Sequence, residues 1–461
     1  MLNKKECELV LSHAMSSNAD FAELFEEEGV NEAIGLLNDK VETMNRTSRS
    51  GIGIRLYKGV QSVYGYSNET DMDSLFALVE DLAQAFGKAE PREIVLEETV
   101  VKNNHPVVIE PLEASIEEKI DLLQRAYKSA KEVDERIFKV QSSIGIVKQY
   151  VQISNSNGKL VKDTRTRVRL AVHAYAKDGD NMQSGFEGPG ASSGLEFFEQ
   201  RSPESVGKIA AETAILLLNA KDCPSGKMPV IIDNGFGGVV FHESCGHSLE
   251  ATAVAKNLSV FTNKLGQQIA STKVTAIDDG TIPNGWGSQN VDDEGNLQQK
   301  RVLIKDGILN SYMIDTLNGR RMGMESTGSS RRQSYKFEPT SRMSNTYIAA
   351  GTDKFEDMFV GIEKGLYAKK MGGGSVNPKT GEFNFSVSVG YMIENGKITY
   401  PVKGASLIGK GSEILLNIDM VSDNLLRAQG MCGSSSGSIP TDVGQPAIRI
   451  SSITVGGTAN E

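Results

Sequence analysis

The sequence predicts an α+β chain: an N-terminal mixed α/β half, then a mostly β, glycine-rich C-terminal half that carries one principal helix. Three observations predict it. Helical periodicity is concentrated before residue 220. Asn-Gly and Asp-Gly turn signals between alternating segments dominate after it. Glycine reaches 47 of 461 residues, above the usual level of about 7%.

In chain order, residues 3–15 read as a short helix. Residues 51–66 read as two strands around a Lys-Gly turn. Leu75, Leu78, Val79, Leu82 and Phe86 recur at helical spacing, so 71–87 reads as a helix. The 116–134 helix has a stronger signature. Ser115 and Glu118 form a capping box, and Ile116, Ile120, Leu123, Tyr127 and Ala130 form one apolar stripe. Asn157-Gly158 marks a hairpin whose partner strand lies near 165–177. Residues 203–219 form a helix opened by Ser202 as cap and Pro203 at its first position.

At Cys223-Pro224-Ser225-Gly226 the texture changes. The expected units are therefore 1–225, with a break between two subdomains near 90–112, and 226–461. In the second unit Val230-Ile231-Ile232 reads as a buried strand. Asp306-Gly307 and Asn395-Gly396 mark hairpins. Residues 236–256 read as one helix, and a shorter helix is expected over 353–363.

Composition excludes several functions. Lys+Arg is 49 against Asp+Glu 59, a net charge of −10, which does not suit a nucleic-acid surface. No apolar run approaches the roughly 18 residues of a membrane span. The first fifteen residues lack the apolar core of a signal peptide. Four dispersed cysteines (7, 223, 245, 432) are no disulfide framework. A soluble protein in a reducing, cytoplasmic setting is expected.

The chemistry concentrates at His242-Glu243-Ser244-Cys245-Gly246-His247. Two imidazoles and a carboxylate on one helix is the logic of zinc peptidases: the imidazoles bind metal and the carboxylate takes a proton from water. The spacing is five rather than four. At roughly 100° per residue an ideal helix would set the rings about 140° apart, too far for one metal. Either the helix contains a π-type turn, or it breaks near Gly246, or the histidines share no metal. A catalytic zinc wants a third protein ligand. The other histidines, 13, 105 and 173, lie in the first half, so a carboxylate or thiolate is needed. Cys432, in Gly430-Met431-Cys432-Gly433, is the leading candidate; a free cysteine is otherwise an inert buried hydrophobe.

These residues, with Asp292-Asp293-Glu294-Gly295, Arg331-Arg332-Gln333-Ser334-Tyr335, Gly372-Gly373-Gly374, Val443-Gly444-Gln445-Pro446 and Thr454-Val455-Gly456-Gly457, resemble the TldD/PmbA family of zinc metallopeptidases, in its TldD-like, metal-binding branch. The resemblance runs over nearly the whole chain. It implies that His242, His247 and Cys432 hold zinc and that Glu243 is catalytic. It also implies a cytoplasmic enzyme that cuts unfolded peptides and pairs with a metal-free family member, or with itself. Ser434-Ser435-Ser436 departs from the family pattern. A thiolate cancels one of the two metal charges, so the metal's water should be less acidic and a strong local base matters more. The expected reaction is water attack on a zinc-polarised amide carbonyl, with Glu243 passing the proton to the leaving amine.

Other signals carry less. Gly404 to Gly411 nearly matches a P-loop, but Gly411 stands where Ser or Thr is required, and 412–418 reads as a strand rather than a helix. Gly235-Phe236-Gly237-Gly238 lacks the third glycine of a dinucleotide loop. Asp292-Asp293-Glu294-Gly295 lacks the ligand alternation of a calcium loop and reads as a solvated turn. Arg331 and Arg332, with Tyr335, are candidates to hold a peptide carboxylate or oxyanion. Gly373 is a candidate for close approach of a peptide backbone. The expected function is a zinc-dependent peptidase acting on extended peptides. One alternative is a non-catalytic metal- or peptide-binding subunit of a family heterodimer. Another is a cysteine hydrolase built on Cys245 with either histidine.

Overall fold

The computed structural model describes residues 1–90, 92–377 and 380–458. Residue 91, inside the expected 90–112 break, and 459–461, at the end of the expected second unit, lie outside them. The chain is 21% helix and 44% strand. The N-terminal half is one eight-stranded sheet built on four long strands: Phe21–Leu37, Lys40–Lys58, Ile137–Asn155 and Lys159–Asp178. They are antiparallel neighbours in the order Lys40–Lys58, Phe21–Leu37, Ile137–Asn155, Lys159–Asp178. The Asn157-Gly158 turn, with Gly158 at φ 88°, joins the last two as expected.

Strands this long serve two cores. At one end helices Lys4–Ala14 and Met72–Ala83 bury Val10, Leu11, Leu75 and Val79 against Leu24, Ile52 and Ile54. At the other, helices Ile116–Lys131 and Pro203–Leu218 bury Leu123, Ala126, Val206 and Ala210 against Ile144, Val168 and Leu170. The cap signals act as read. Ser115 Oγ accepts from the Glu118 amide while the Glu118 carboxylate accepts from the Ser115 amide. Ser202 caps the helix that Pro203 opens.

The C-terminal half is mostly β. Strands Lys364–Val376, Gly226–Ile232, Ile448–Gly456, Ala405–Lys410 and Glu382–Glu394 pair in that order. Lys364–Val376 also pairs with Glu382–Glu394, which closes a barrel. A second, six-stranded sheet ends in Asn345–Ile348, Gly437–Gln445 and, at its edge, Leu426–Ser434. The large core between barrel and sheet contains Val240, Phe241, Cys245 and Leu249 from the segment read as the principal helix. The expected strand over 412–418 is a correction: Gly411–Ile414 is a helical turn, Leu415–Asn417 a 3-10 turn, and a strand begins only at Ile418. The 353–363 helix is reduced to a 3-10 turn over Phe355–Phe359.

Buried charge joins the two halves. Arg55, on the first sheet, is fully buried; its Nη2 contacts Glu23 at 3.0 Å and Glu294 at 2.6 Å. Arg332 Nη2 reaches Glu23 at 2.8 Å, and Arg165 Nη1 reaches Asp293 at 2.6 Å. The turn 292–295, expected to be solvated, is therefore a correction: Asp292 and Asp293 are 0% exposed. Their oxygens accept from the backbone amides of Glu294, Asn296, Ser330 and Arg332. Burial, with the charge of Glu294 beside it, pushes Asp292 up to about 7.

Without Arg55, Glu23 keeps Arg332 but Glu294 is left buried without its cation, and breaking a buried pair in this way costs about 3–5 kcal/mol. Arg55→Met is expected to lower unfolding stability by that amount, read as the denaturant midpoint at constant slope. A change below ~1 kcal/mol would mean that the network contributes little.

Candidate metal centre

The segment after the buried strand Gly226–Ile232 is not one helix, which corrects the reading of 236–256. A 3-10 turn over Gly235–Gly238 leads into an α-helix, Val239–Ser244. The helix breaks at Cys245 (φ −130°, ψ −47°). A second 3-10 turn, Gly246–Leu249, and a short helix, Ala251–Val254, follow. Of the three outcomes that the five-residue spacing allowed, the chain takes the break, one residue before Gly246.

Glycines make the break possible by letting neighbours come close. A Cβ on Gly246 would lie 2.3 Å from Met343 Sδ, and one on Gly238 would lie 2.4 Å from the Gly444 backbone. Gly411, in the near-P-loop, presses on the same segment; its Cβ would lie 2.1 Å from the Ser244 carbonyl oxygen.

The break turns the two imidazoles toward each other. Their centroids are 5.0 Å apart at an interplanar angle of 83°. Cys432, 4% exposed on the edge strand Leu426–Ser434, lies between them. Its Sγ is 3.3 Å from His242 Nε2 and 3.4 Å from His247 Nε2. The three donor atoms lie within 4.8 Å of one another. Tetrahedral zinc with bonds of about 2.0–2.1 Å to nitrogen and 2.3 Å to sulfur sets N and S roughly 3.5 Å apart. The donor set therefore fits a zinc ion in both chemistry and span. His242 Nδ1 is buried and, among the described residues, without a hydrogen-bond partner. Glu243, a quarter exposed, holds a carboxylate oxygen 3.8 Å from His247 Nε2.

Electrostatics favours the thiolate. Burial opposes ionisation of Cys432, but the charge of His242 and hydrogen bonds from both imidazoles outweigh it and bring its pKa down to about 3. Burial would likewise depress His247, yet Glu250 and Cys432 hold it well above its ordinary value. Cys245 is wholly buried and its thiol is pushed up by that burial, which makes it a poor nucleophile.

The remaining candidates lie elsewhere. Arg332 and Tyr335 belong to the buried network: Arg332 pairs with Glu23, and the Tyr335 amide donates to Glu27. Arg331, 1% exposed, donates to the Met343 carbonyl. All three side chains are buried, with at most 4% exposed. Gly373 is exposed on a barrel strand, and its carbonyl accepts from Ser386 Oγ. Ser436, in the serine run, is fully buried and hydrogen-bonded to Arg342 and Thr340. Two residues that the sequence reading gave no role stand beside the cluster. Glu250 Oε1 is 3.3 Å from His247 Nδ1, and Arg342 Nη2 donates to the Cys432 carbonyl. The three-residue step from His247 was a usable signal for Glu250. Nothing local in the sequence marks Arg342.

Three family models cover the chain in succession: the PmbA/TldA metallopeptidase domain 1 over residues 22–86, the central domain over 109–218 and the C-terminal domain over 225–457. A Haemophilus influenzae protein named metalloprotease TldD homolog is 37% identical across 97% of this chain and 95% of its own length. A Buchnera aphidicola protein of the same name is 35% identical across 99% and 97%. Among solved structures, TldE from Thermococcus kodakarensis superposes with a TM-score of 0.78 at 18% identity, covering 98% of this chain and 100% of that one. A Thermotoga maritima protein called a modulator of DNA gyrase gives 0.80 at 22% identity, covering 98% and 99%. At those identities the structural matches speak for the fold.

In metal-free protein, Cys432 is expected to be a thiolate at neutral pH. The difference in thiolate ultraviolet absorbance between wild type and Cys432→Ser should persist from pH 8 down to pH 5. A difference that vanishes below pH 8, near the ordinary thiol pKa of about 8.5, would contradict the geometry.

Proposed function

The chain belongs to the PmbA/TldA metallopeptidase family, and from that premise we propose that it is a zinc-dependent peptidase acting on extended peptides, with His242, His247 and Cys432 as ligands. The observation that carries this reading is the convergence of both Nε2 atoms on one buried sulfur. Two imidazoles and a thiolate favour zinc over the harder divalent cations. Three protein ligands leave a fourth position free for substrate or water.

Zinc, when bound, supplies a Lewis acid toward the peptide carbonyl. The chain's own residues do the rest. His242 and His247 would hold the metal through Nε2, and Cys432 would contribute negative charge. Glu243 follows the first ligand directly and is partly open to solvent. Its carboxylate accepts a proton from the attacking water and returns it to the leaving nitrogen. Because a thiolate weakens the metal's pull on water, this base carries more of the burden than it would beside three imidazoles.

The edge strand favours an extended substrate. Leu426–Ser434 pairs on one side with Gly437–Gln445 and, among the described residues, with no strand on the other. Leu426 and Met431 are 57% and 52% exposed along it. Such an edge accepts a peptide as an added strand beside Cys432. The same surface suits a partner subunit of the family, as a heterodimer or a homodimer. Among the described residues no helix is long and apolar enough to cross a membrane.

Elemental analysis with peptide cleavage in parallel tests this reading. Wild type should hold one zinc, while Cys432→Ser and His247→Ala lose it. Glu243→Gln should keep metal and fold yet drop peptidase activity by at least ~100-fold, the scale of lost general-base catalysis. Full occupancy in the ligand variants would remove the assignment, and a zinc-loaded but inactive wild type would favour a binding subunit.

Substrate form gives a second test. A stable domain must unfold before it can present a strand, which costs about 5–15 kcal/mol. Short unstructured peptides should be cut and stable domains spared. Equal rates for a stable domain and its unfolded mutant would refute strand addition.

A further inference from the structure

The structure assigns a positioning role to Glu250 and Arg342: we propose that they form one outer-shell unit that orients His247 and anchors Cys432 for the metal. The proposal rests on the zinc reading above and extends it to two residues that are neither ligands nor the base.

His247 presents Nε2 to Cys432 Sγ and Nδ1 to Glu250 Oε1, at 3.4 and 3.3 Å. The contact is an ion-pair distance, not a closed hydrogen bond; a carboxylate so placed is positioned to take the Nδ1 proton, which selects the tautomer whose free lone pair is on Nε2, on the metal side. The local fold brings the pair together. Gly246–Leu249 is a 3-10 turn, in which residues three apart eclipse. Glu250 then leaves the turn in extended conformation (φ −73°, ψ 127°) with 6% exposure, so its carboxylate stays under the ring.

Arg342 carries the same restraint to the third ligand. It is fully buried. Nη2 donates to the Cys432 carbonyl at 2.5 Å, and Nη1 donates to Ser436 Oγ at 2.8 Å and to the Gly437 carbonyl at 3.0 Å. Nε lies 3.9 Å from Glu250 Oε1. One planar fork thus spans the hairpin bearing Cys432 and faces the carboxylate that orients His247. A lysine, with a single ammonium, cannot make these contacts together. His242 has no such support, since its Nδ1 is without a partner. Among the described residues the outer support is therefore asymmetric: His247 and Cys432 each have a polar neighbour behind them, and His242 Nδ1 has none.

Zinc affinity of the full chain, measured by competition with a chromophoric chelator, separates this role from plain packing when it is set beside the thermal midpoint of the metal-free protein. Loss of an outer-shell partner typically weakens metal binding 10–100-fold. Glu250→Ala should fall in that range, and Glu250→Gln, whose amide oxygen occupies the same place beside Nδ1, should recover most of it. Arg342→Lys should weaken binding about 10-fold and alter the thiolate-to-metal absorption of the cobalt-loaded protein. The metal-free midpoint reports the stability cost of each variant separately, so the Ala-against-Gln contrast in affinity carries the test; if Arg342→Lys does not fold, the Glu250 pair decides alone. Affinity of Glu250→Ala within twofold of wild type overturns the proposal, as does a Gln variant as weak as the Ala variant. Wild type that binds no zinc, or Cys432→Ser that binds as tightly, brings down the zinc reading and this proposal together. That outcome is distinct from loss of the outer-shell effect alone.

Discussion

Two histidines five residues apart must face one sulfur, and the architecture of the C-terminal half follows from that constraint. A continuous α-helix cannot satisfy it, because it turns the rings about 140° from each other. The chain gives up helical continuity at Cys245 and recovers the lost packing from outside. Gly238 lies against Gly444, Gly246 against Met343 and Gly411 against Ser244, each at a distance that no side chain would allow. Barrel and sheet thus grip a segment too irregular to hold itself. The glycine-rich composition of this half is in part the means of that grip.

The second organising feature is charge buried without solvent. Glu23, Glu294, Asp293, Arg55, Arg165 and Arg332 would be a poor route to stability in isolation, since desolvation offsets most of the Coulombic gain. Their value lies in direction. Each guanidinium has a fixed fork, so first sheet and C-terminal half meet in one register. A purely apolar seam would tolerate sliding. The same network fixes the turn 292–295 and the Arg331-Arg332 pair, which in turn sit behind the strand leading to Met343.

Where local chemistry decided the outcome, the sequence was legible. Capping residues at Ser115 and Ser202, the Asn157-Gly158, Asp306-Gly307 and Asn395-Gly396 turns, and the His-Glu-His constellation all rest on neighbours within a few residues. Misreadings arose where distant chains decide. The apolar run 236–256 has a helix's composition, but where it breaks it packs closely on Met343 and on Gly444 and Gly411, which lie far away in sequence. Asp292 and Asp293 look like a solvated turn until arginines from another sheet bury them. Residues 412–418 carry an apolar run, Ile414-Leu415-Leu416, that suits a strand, yet the chain there forms a helical turn and a 3-10 turn, with Gly411 close against the Ser244 carbonyl. Arg342 was invisible for the same reason: its partners are the carbonyl of Cys432, the turn beyond it and the carboxylate of Glu250.

Cys432 lies 190 residues after His242 and 185 after His247. That separation has a temporal meaning. At synthesis rates of about 5–20 residues per second, the histidines leave the ribosome roughly 10–40 s before the cysteine that completes their set. During that interval the broken helix lacks the edge strand Leu426–Ser434, and the barrel stays open throughout, because its strand Ile448–Gly456 follows Cys432. The centre can close only on a nearly finished chain, so a prematurely terminated product carries the histidine motif without the cluster.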